Sequence, residues 1–308
     1  MRKKGHLVPS KHHEKISIVI PLYQKEKHIE GALSSVAVCC EHAGVDYEIV
    51  VVDDGSTDLS AAKVKAWQDA HPLHFGNLLL IQQPNAGAAA ARNTGWKAAS
   101  NEIIFFLDAD DLWHPWHVEE VLGLVADFPD AVMFGDAWSE ITPQGTRKDH
   151  AFGIGAEQRG YLPCFFEAMA SGPMIAWSSS VATRKSALEV SGGFPEGVTH
   201  GEDKVGWGRL ALLGPMAWSP RIGAVWDKTA ENRSDGGQSI PSPAFRDFLR
   251  HAMHAENISD QMREAIRVCA AVEQDRMLGN ISIYGQDTPE KYRKMIGHPD
   301  LADAVPTL

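Results

Sequence analysis

From Ile16 onward, short and almost continuous apolar runs alternate with stretches whose apolar residues recur every three or four positions. ISIVIPLY (16–23), YEIVVVDDGSTD (47–58), NLLLIQQ (77–83) and NEIIFFLDAD (101–110) read as strands. Between them EKHIEGALSSVAVCC, SAAKVKAWQDA and AAAARNTGWKAA carry the helical period. Strands that are apolar throughout, rather than alternating, belong to a parallel sheet covered on both faces. Open sheets of this kind bind ligands at the carboxyl ends of their strands. Pro21, Asp53, Asp54, Asn85, Asp108 and Asp110 all fall at such ends.

Beyond Phe134 the pattern is less regular. TPQGTRK reads as a turn, and 150–180 is rich in Gly, Ser and aromatic residues. RKSALEVSGGF (184–194) predicts a short helix ending at glycines, and EDKVGWGRLALLG (202–214) another closed by Gly214. After IPSP (240–243) the segments AFRDFLRHAMHAE, SDQMREAIRVCAAVEQDRML and PEKYRKMIG predict two or three amphipathic helices, whose commonest role is core packing. There is no internal repeat.

The net charge of -11 over 308 residues disfavours a nucleic-acid partner, so an anionic ligand would need a metal or a few arginines. Cys39, Cys40, Cys164 and Cys269 have no metal-ligand spacing and suit free thiols in a reducing cytoplasm. The basic start MRKKGHLVPSKHHEK lacks the apolar core of a signal peptide and reads as a flexible tail, with peripheral membrane contact left open. No apolar run is long enough to cross a bilayer.

The stretch FFLDADDLW (105–113) concentrates the candidate chemistry. Asp108, Asp110 and Asp111 raise one another's proton affinity unless an opposite charge sits among them. A divalent cation shared with substrate phosphates is the simplest supplier of that charge, and a solvated loop is the plain alternative. The D-x-D of haloacid-dehalogenase phosphatases is a poor match, because it sits on the first strand and continues with Thr or Val. In VVVDDGSTD, Ser56, Thr57 or Asp58 can cap the next helix, whereas the doubled Asp53–Asp54 points to a ligand. Arg92 can meet a diphosphate or a carboxylate in a bidentate fork, or lie on the surface. In GEDKVGW two acids begin a helix, where the dipole alone favours them. The scattered histidines form no zinc pattern.

In order, IVIPLYQKE, EIVVVDDGSTD, NAGAAAARNTG, IIFFLDADD, SGGFPEGVTHGED and WGRLALLG resemble the family 2 glycosyltransferases over roughly 16–214. The resemblance implies the GT-A fold: α/β, a mostly parallel Rossmann-like sheet flanked by helices, here with a C-terminal helical extension. It also implies a nucleotide-diphospho-sugar donor. Pro21 and Tyr23 would then line the nucleoside pocket, Asp54 accept from the base, and Arg92 lie beside base and phosphates. Asp108 would approach the ribose or a metal-bound water, Asp110 hold Mn²⁺ or Mg²⁺, and Asp203 act as general base. Gln24 stands where the family usually has Asn, and Thr229 where a Tyr-Arg-x-His motif would place His, with Lys228 or Arg233 as candidate substitutes. The Gln-x-x-Arg-Trp motif of processive synthases is absent, which favours transfer of a single sugar.

The resulting expectation is a metal-dependent inverting transferase acting on a saccharide, lipid-linked or other hydroxyl acceptor in polysaccharide or glycoconjugate assembly. It would be cytoplasmic or peripheral at the inner face of the membrane, and a homodimer is left open. Its parts would be a tail (1–15), a GT-A domain (16–225, donor half 16–112 and acceptor half 113–225) and an extension (226–308). The alternative is a non-catalytic sugar-nucleotide-binding module. A nucleotidyltransferase would need a Gly-rich loop with Arg and Lys after Ile20, and none is present.

Overall fold

Ile16–Leu22 form the first strand (β1), and six of its seven residues are buried, which is what a strand covered on both faces requires. The computed structural model describes residues 15–71, 78–150, 152, 156–231 and 242–278. After β1 come α1 (Ile29–Ala43), β2 (Tyr47–Asp53), α2 (Ser60–Ala70), β3 (Leu78–Gln82), α3 (Ala88–Ala98) and β4 (Ile103–Phe106). All four strands read from the apolar runs are therefore present, joined by the helices that the period predicts. The second half contributes β5 (Leu112–Trp113), α4 (His117–Asp127), β6 (Met133–Ile141), β7 (Arg147–Asp149), β8 (Gly160–Tyr161) and α5 (Phe165–Ser171). It continues with β9 (Val181–Arg184), α6 (Lys185–Ser191), α7 (Glu202–Ala211), β10 (Met216–Asp227), α8 (Pro243–Ala252) and α9 (Asp260–Met277).

One sheet runs β3-β2-β1-β4-β9-β6-β10-β5, with β7 on β6 and β8 on β10. The pairs β1–β2, β2–β3, β1–β4 and β6–β10 are parallel. β9 runs antiparallel between β4 and β6, and β5 antiparallel to β10. The sheet is thus mixed, with its parallel part in the first half. Register places Leu22 beside Asp53 and Val19 beside Phe106, so three carboxyl ends open on one edge.

Each face of the sheet has its own core. Ile16, Ile18 and Ile20 pack with α1 and α4 on one face, while Val19, Val50 and Val52 pack with α3, α5 and α7 on the other. The second core also takes Phe245 and Leu249 of α8 and Ile266, Cys269 and Val272 of α9. The C-terminal helices therefore fill the domain's own core, and β10 runs through the expected division at residue 225. The expected helix at 289–297, the tail at 1–14 and Arg233 lie outside the described residues.

A fully buried pair locks α4 onto β6. His117 Nδ1 lies 2.8 Å from Asp136 Oδ2, with both side chains inaccessible. Gly223 of β10 lies against this pair, and a β-carbon there would overlap both side chains. Gly223→Ala is therefore expected to destabilise the protein by about 3 kcal/mol, the upper end of ordinary overpacking. Urea denaturation should show a lowered midpoint with an unchanged slope. An unchanged midpoint would mean that the pair can move aside.

Candidate active site

The acids at the strand ends fall into two groups. At the end of β2, Asp53 accepts from the Ser56 amide at 3.0 Å and from Gln82 Nε2 at 3.0 Å. Asp54 accepts from Gln83 Nε2 at 2.7 Å and from the amides of Ala86 and Gly87 at 2.9 and 2.8 Å. The doubled acid thereby ties β2 to the loop that starts α3, and both carboxylates are buried. Beside them Pro21 and the exposed Tyr23 close β1. Gln24 takes a left-handed backbone at φ 53°, a conformation Asn tolerates better than most residues, which accounts for the family's usual choice there. The Gln24 side-chain oxygen accepts from the amides of Thr57 and Asp58, latching β1 to the next loop. None of the candidate caps takes the N-cap of α2, which is Leu59 without a side-chain cap; Asp58, one residue earlier, accepts from the Ser60 amide at 2.9 Å.

The second group follows β4. Crowding among Asp108, Asp110 and Asp111 calls for compensating partners, and the chain gives each acid one of its own. Asp108 Oδ1 pairs with Arg92 Nη2 at 2.8 Å. Asp110 Oδ2 pairs with Lys25 Nζ at 2.7 Å, and the same ammonium donates to the Glu231 carbonyl at 2.7 Å. Burial, with the Asp108 charge beside it, raises the proton affinity of Asp110 against the pull of Lys25. Asp111 is a structural acid. It accepts from Ser179 Oγ at 2.6 Å, Trp177 Nε1 at 2.8 Å and the Asp227 amide at 3.1 Å, joining three segments. Burial, then its two acidic neighbours, push its carboxyl well above the usual range.

Arg92 lies on α3 and is buried, not on the surface. One arm holds Asp108 and the other holds Glu202 Oε1 at 2.9 Å, at the first turn of α7. It thus joins the DADD and GED segments, 110 residues apart for the Glu202 bond. Asp203 follows Glu202 and accepts from the Lys204 amide at 2.7 Å. Burial and the Glu202 charge push Asp203 up to about 6, with Arg92 acting against them.

On the 226–231 segment Thr229 donates from its amide and hydroxyl to its neighbour Asp227 at 2.8 and 2.6 Å. Lys228, a candidate substitute for the family's His, forms an ion pair with Glu140 at 2.7 Å. A cavity of about 190 Å³ opens beside the acids, lined by Gln24 to His28 with Asp58 and Glu231. It shares Lys25 with the cluster and none of the other acids' partners. Lys25, Glu202, Trp177 and Ser179 were not singled out from the sequence. Lys25 lies within PLYQKE and Glu202 within GED, so position in a motif was the available signal.

Among the described residues no group of three or more His, Cys, Asp or Glu side chains could hold a metal. Nor is any described helix long and apolar enough to cross a membrane.

Solved structures share this architecture. A crystal structure of S. aureus TarS residues 1–349 in complex with UDP-GlcNAc superposes with a TM-score of 0.66 at 16% identity, covering 92% of this chain and 84% of that one. A mannosyltransferase from Pyrobaculum calidifontis, PcManGT, in complex with GDP-Man and Mn²⁺ gives 0.58 at 19% identity, covering 93% and 84%. An Escherichia coli UDP-Glc:α-D-GlcNAc-diphosphoundecaprenol β-1,3-glucosyltransferase, WfgD, is 33% identical over 121 residues, 39% of this chain and 45% of its own. The chain spans from 20% to 45% of the length of such curated relatives. The sequence profile described as Glycosyl transferase family 2 matches residues 17–188, more than half of the chain. With its mixed α/β sheet and GT-A neighbours, this chain belongs to the family 2 glycosyltransferases.

Proposed function

We propose that the protein is an inverting, metal-dependent glycosyltransferase that moves one sugar from a nucleoside-diphosphate sugar to an acceptor hydroxyl. The observation that carries this reading is the Arg92 fork, which joins the strand-end acid Asp108 to the turn bearing Asp203. One guanidinium thereby ties a strand-end acid to the residue that precedes a carboxylate with raised proton affinity. The donor class is supported by neighbours crystallised with UDP-GlcNAc and with GDP-Man and Mn²⁺. In this reading Pro21, Tyr23 and Asp54 serve the nucleoside, and 16–112 and 113–225 are the donor and acceptor halves.

The donor set fits a hard cation that arrives with a diphosphate. Arg92 meets Oδ1 of Asp108 and Lys25 meets Oδ2 of Asp110, and an ionised carboxylate has about four lone-pair sites, so each can also meet a cation. Mg²⁺ and Mn²⁺ sites commonly use one or two carboxylates and complete their shell with phosphate and water. Asp110, with Asp108 nearby, would hold it, and it would supply Lewis-acid stabilisation of the leaving diphosphate.

The chain's own residues carry the other half of the reaction. Asp203 takes the proton of the acceptor hydroxyl as that oxygen bonds to the anomeric carbon. The bond from that carbon to the diphosphate breaks, and the diphosphate leaves with the electron pair. Attack opposite the leaving group inverts the centre, without a covalent enzyme adduct. Arg92 stays cationic throughout, since the carboxylates around it hold its proton more tightly than usual. The setting is polysaccharide or glycoconjugate assembly at the cytoplasmic side, with a saccharide or lipid-linked acceptor.

Calorimetric titration of UDP, GDP and dTDP, each with and without Mn²⁺, tests the donor half. One nucleotide should bind at least ~10-fold more tightly with the metal, a difference of about 1.4 kcal/mol. Folded protein that binds none of the three would remove the reading. Tight binding without turnover of any matching sugar nucleotide would leave a binding module.

A further inference from the structure

We propose that the C-terminal helix α9 is part of the active-site apparatus, with Glu273 acting as a positioning residue for Asp203 through Lys204. The inference rests on the reading of Asp203 as general base.

Glu273 is 1% exposed yet sits among donors that keep it ionised. Its Oε1 lies 3.3 Å from Lys204 Nζ and accepts from the Ser242 amide at 3.4 Å, and its Oε2 lies 3.4 Å from Arg276. Burial alone would raise this acid, but Lys204 and Arg276 together hold it below the usual carboxylate range. Arg276 in turn donates to the carbonyls of Met169 and Gly172, at the end of α5. A continuous polar chain therefore runs from α5 through α9 to Lys204. The Lys204 amide is the group that donates to Asp203 at 2.7 Å. Moving Lys204 moves the donor that aims the carboxylate.

A second contact grips the same turn from the other side. Ser242 caps α8, accepting from the Phe245 amide, and donates to the His200 carbonyl at 3.3 Å. Gly201, at φ 77°, lies against Ser242 so closely that a side chain there would overlap it. His200, Gly201 and Lys204 are thus all held by the segment that follows the sheet. An ion pair this buried is seldom better for stability than apolar packing of equal volume. Its position one residue from Asp203 is explained by geometry: a charge pair fixes distance and direction where apolar packing would not.

The charges facing Asp203 are Glu202 and Lys204 on its own helix and Arg92 from α3, with Asp108 and Glu273 neutralising the two cations. Glu273→Gln leaves Lys204 unopposed, whereas Lys204→Met removes it. The acid limb of the kcat profile should therefore move to lower pH in the first variant and to higher pH in the second. A general loss of stability would move neither. In both, kcat should fall between ~10- and ~100-fold, the scale of a misplacement of about 1 Å. Donor affinity by calorimetry should stay within about 2-fold, since neither residue faces the strand-end acids, and Lys204→Arg should recover most of kcat.

The experiment measures kcat, donor KM and the pH profile for wild type, Asp203→Asn, Glu273→Gln, Lys204→Met and Lys204→Arg in the full chain. If Asp203→Asn is inactive while folded Glu273→Gln keeps wild-type kcat, the inference is overturned and the base assignment stands. If Asp203→Asn retains activity, the base assignment itself falls. Should Glu273→Gln fail to fold, Lys204→Met, which leaves Glu273 neutralised by Arg276, decides the question by the same readouts.

Discussion

Replacing Asp203 by Asn lowers kcat by ~10²–10⁴, the usual worth of a general base, while donor affinity stays near wild type. The substitution keeps an oxygen that can accept from the Lys204 amide, so the first turn of α7 retains its geometry. What is lost is proton affinity. In the wild type that affinity is set by burial and by Glu202, which push the carboxyl to about 6 against the pull of Arg92. A base must be ionised to work, so kcat should be level above that value and fall as pH drops through it. The fall should approach tenfold per unit. A stopped assay from pH 4.5 to 8 on both proteins tests this. Loss of the limb together with the rate is the expected outcome. Wild-type kcat in the Asn variant would remove Asp203 from the chemistry and point to a base elsewhere.

The second large effect concerns Asp110 and Lys25. Asp110→Asn removes the carboxylate through which a cation would hold the diphosphate, so the metal-dependent part of nucleotide binding should fall at least ~100-fold. Lys25→Met has the opposite sign for the metal alone. It takes away the ammonium at 2.7 Å that competes for Asp110, so at a pH high enough to ionise this raised carboxyl Mn²⁺ should bind several-fold more tightly without nucleotide. Lys25 also holds the Glu231 carbonyl, which closes the 226–231 segment over this side of the site. Titration of bound Mn²⁺ by electron paramagnetic resonance, with and without nucleotide, separates the two variants. Equal metal affinity in wild type and Asp110→Asn would show that the cation uses other ligands.

Much of the first half was legible because its physics is local. A parallel strand covered on both faces must be apolar along its whole length, so β1, β2 and β4 stand out as runs, and their ends are where the chain turns polar. Asp54, Arg92, Asp108 and Asp110 followed from that rule and from the family motifs. The second half was less legible for equally local reasons. β10 contains Pro220 and shifts register between Ser219 and Ile222, so its period is broken in the middle. β5 is two residues long, and β9 is a four-residue strand inserted antiparallel between two parallel neighbours. None of these leaves a periodic signal.

The sequence offered Arg92 as a partner for a carboxylate, but not which acid meets which partner. Lys25 meets Asp110 because β1 and β4 are neighbours, and Arg92 meets Glu202 across 110 residues because α3 and α7 pack on one face of the sheet. Crowded carboxylates announce that compensating charge is required, but the rule is silent about whether it comes from a metal, a substrate or a distant side chain. Asp111 resembled its neighbours in sequence and proved to be a buried joint between Ser179, Trp177 and β10.

By itself the sequence determined the strand-and-helix order of residues 16–112, the edge at which the strand-end acids gather and the family, because apolar runs, helix period and motifs act within a few residues of one another. Only the tertiary structure decided which cation faces which acid, that α8 and α9 belong to the core, and that Glu273 reaches the turn carrying Asp203. Those are contacts between segments far apart in the chain, and the energy that selects them exists only once the sheet has assembled.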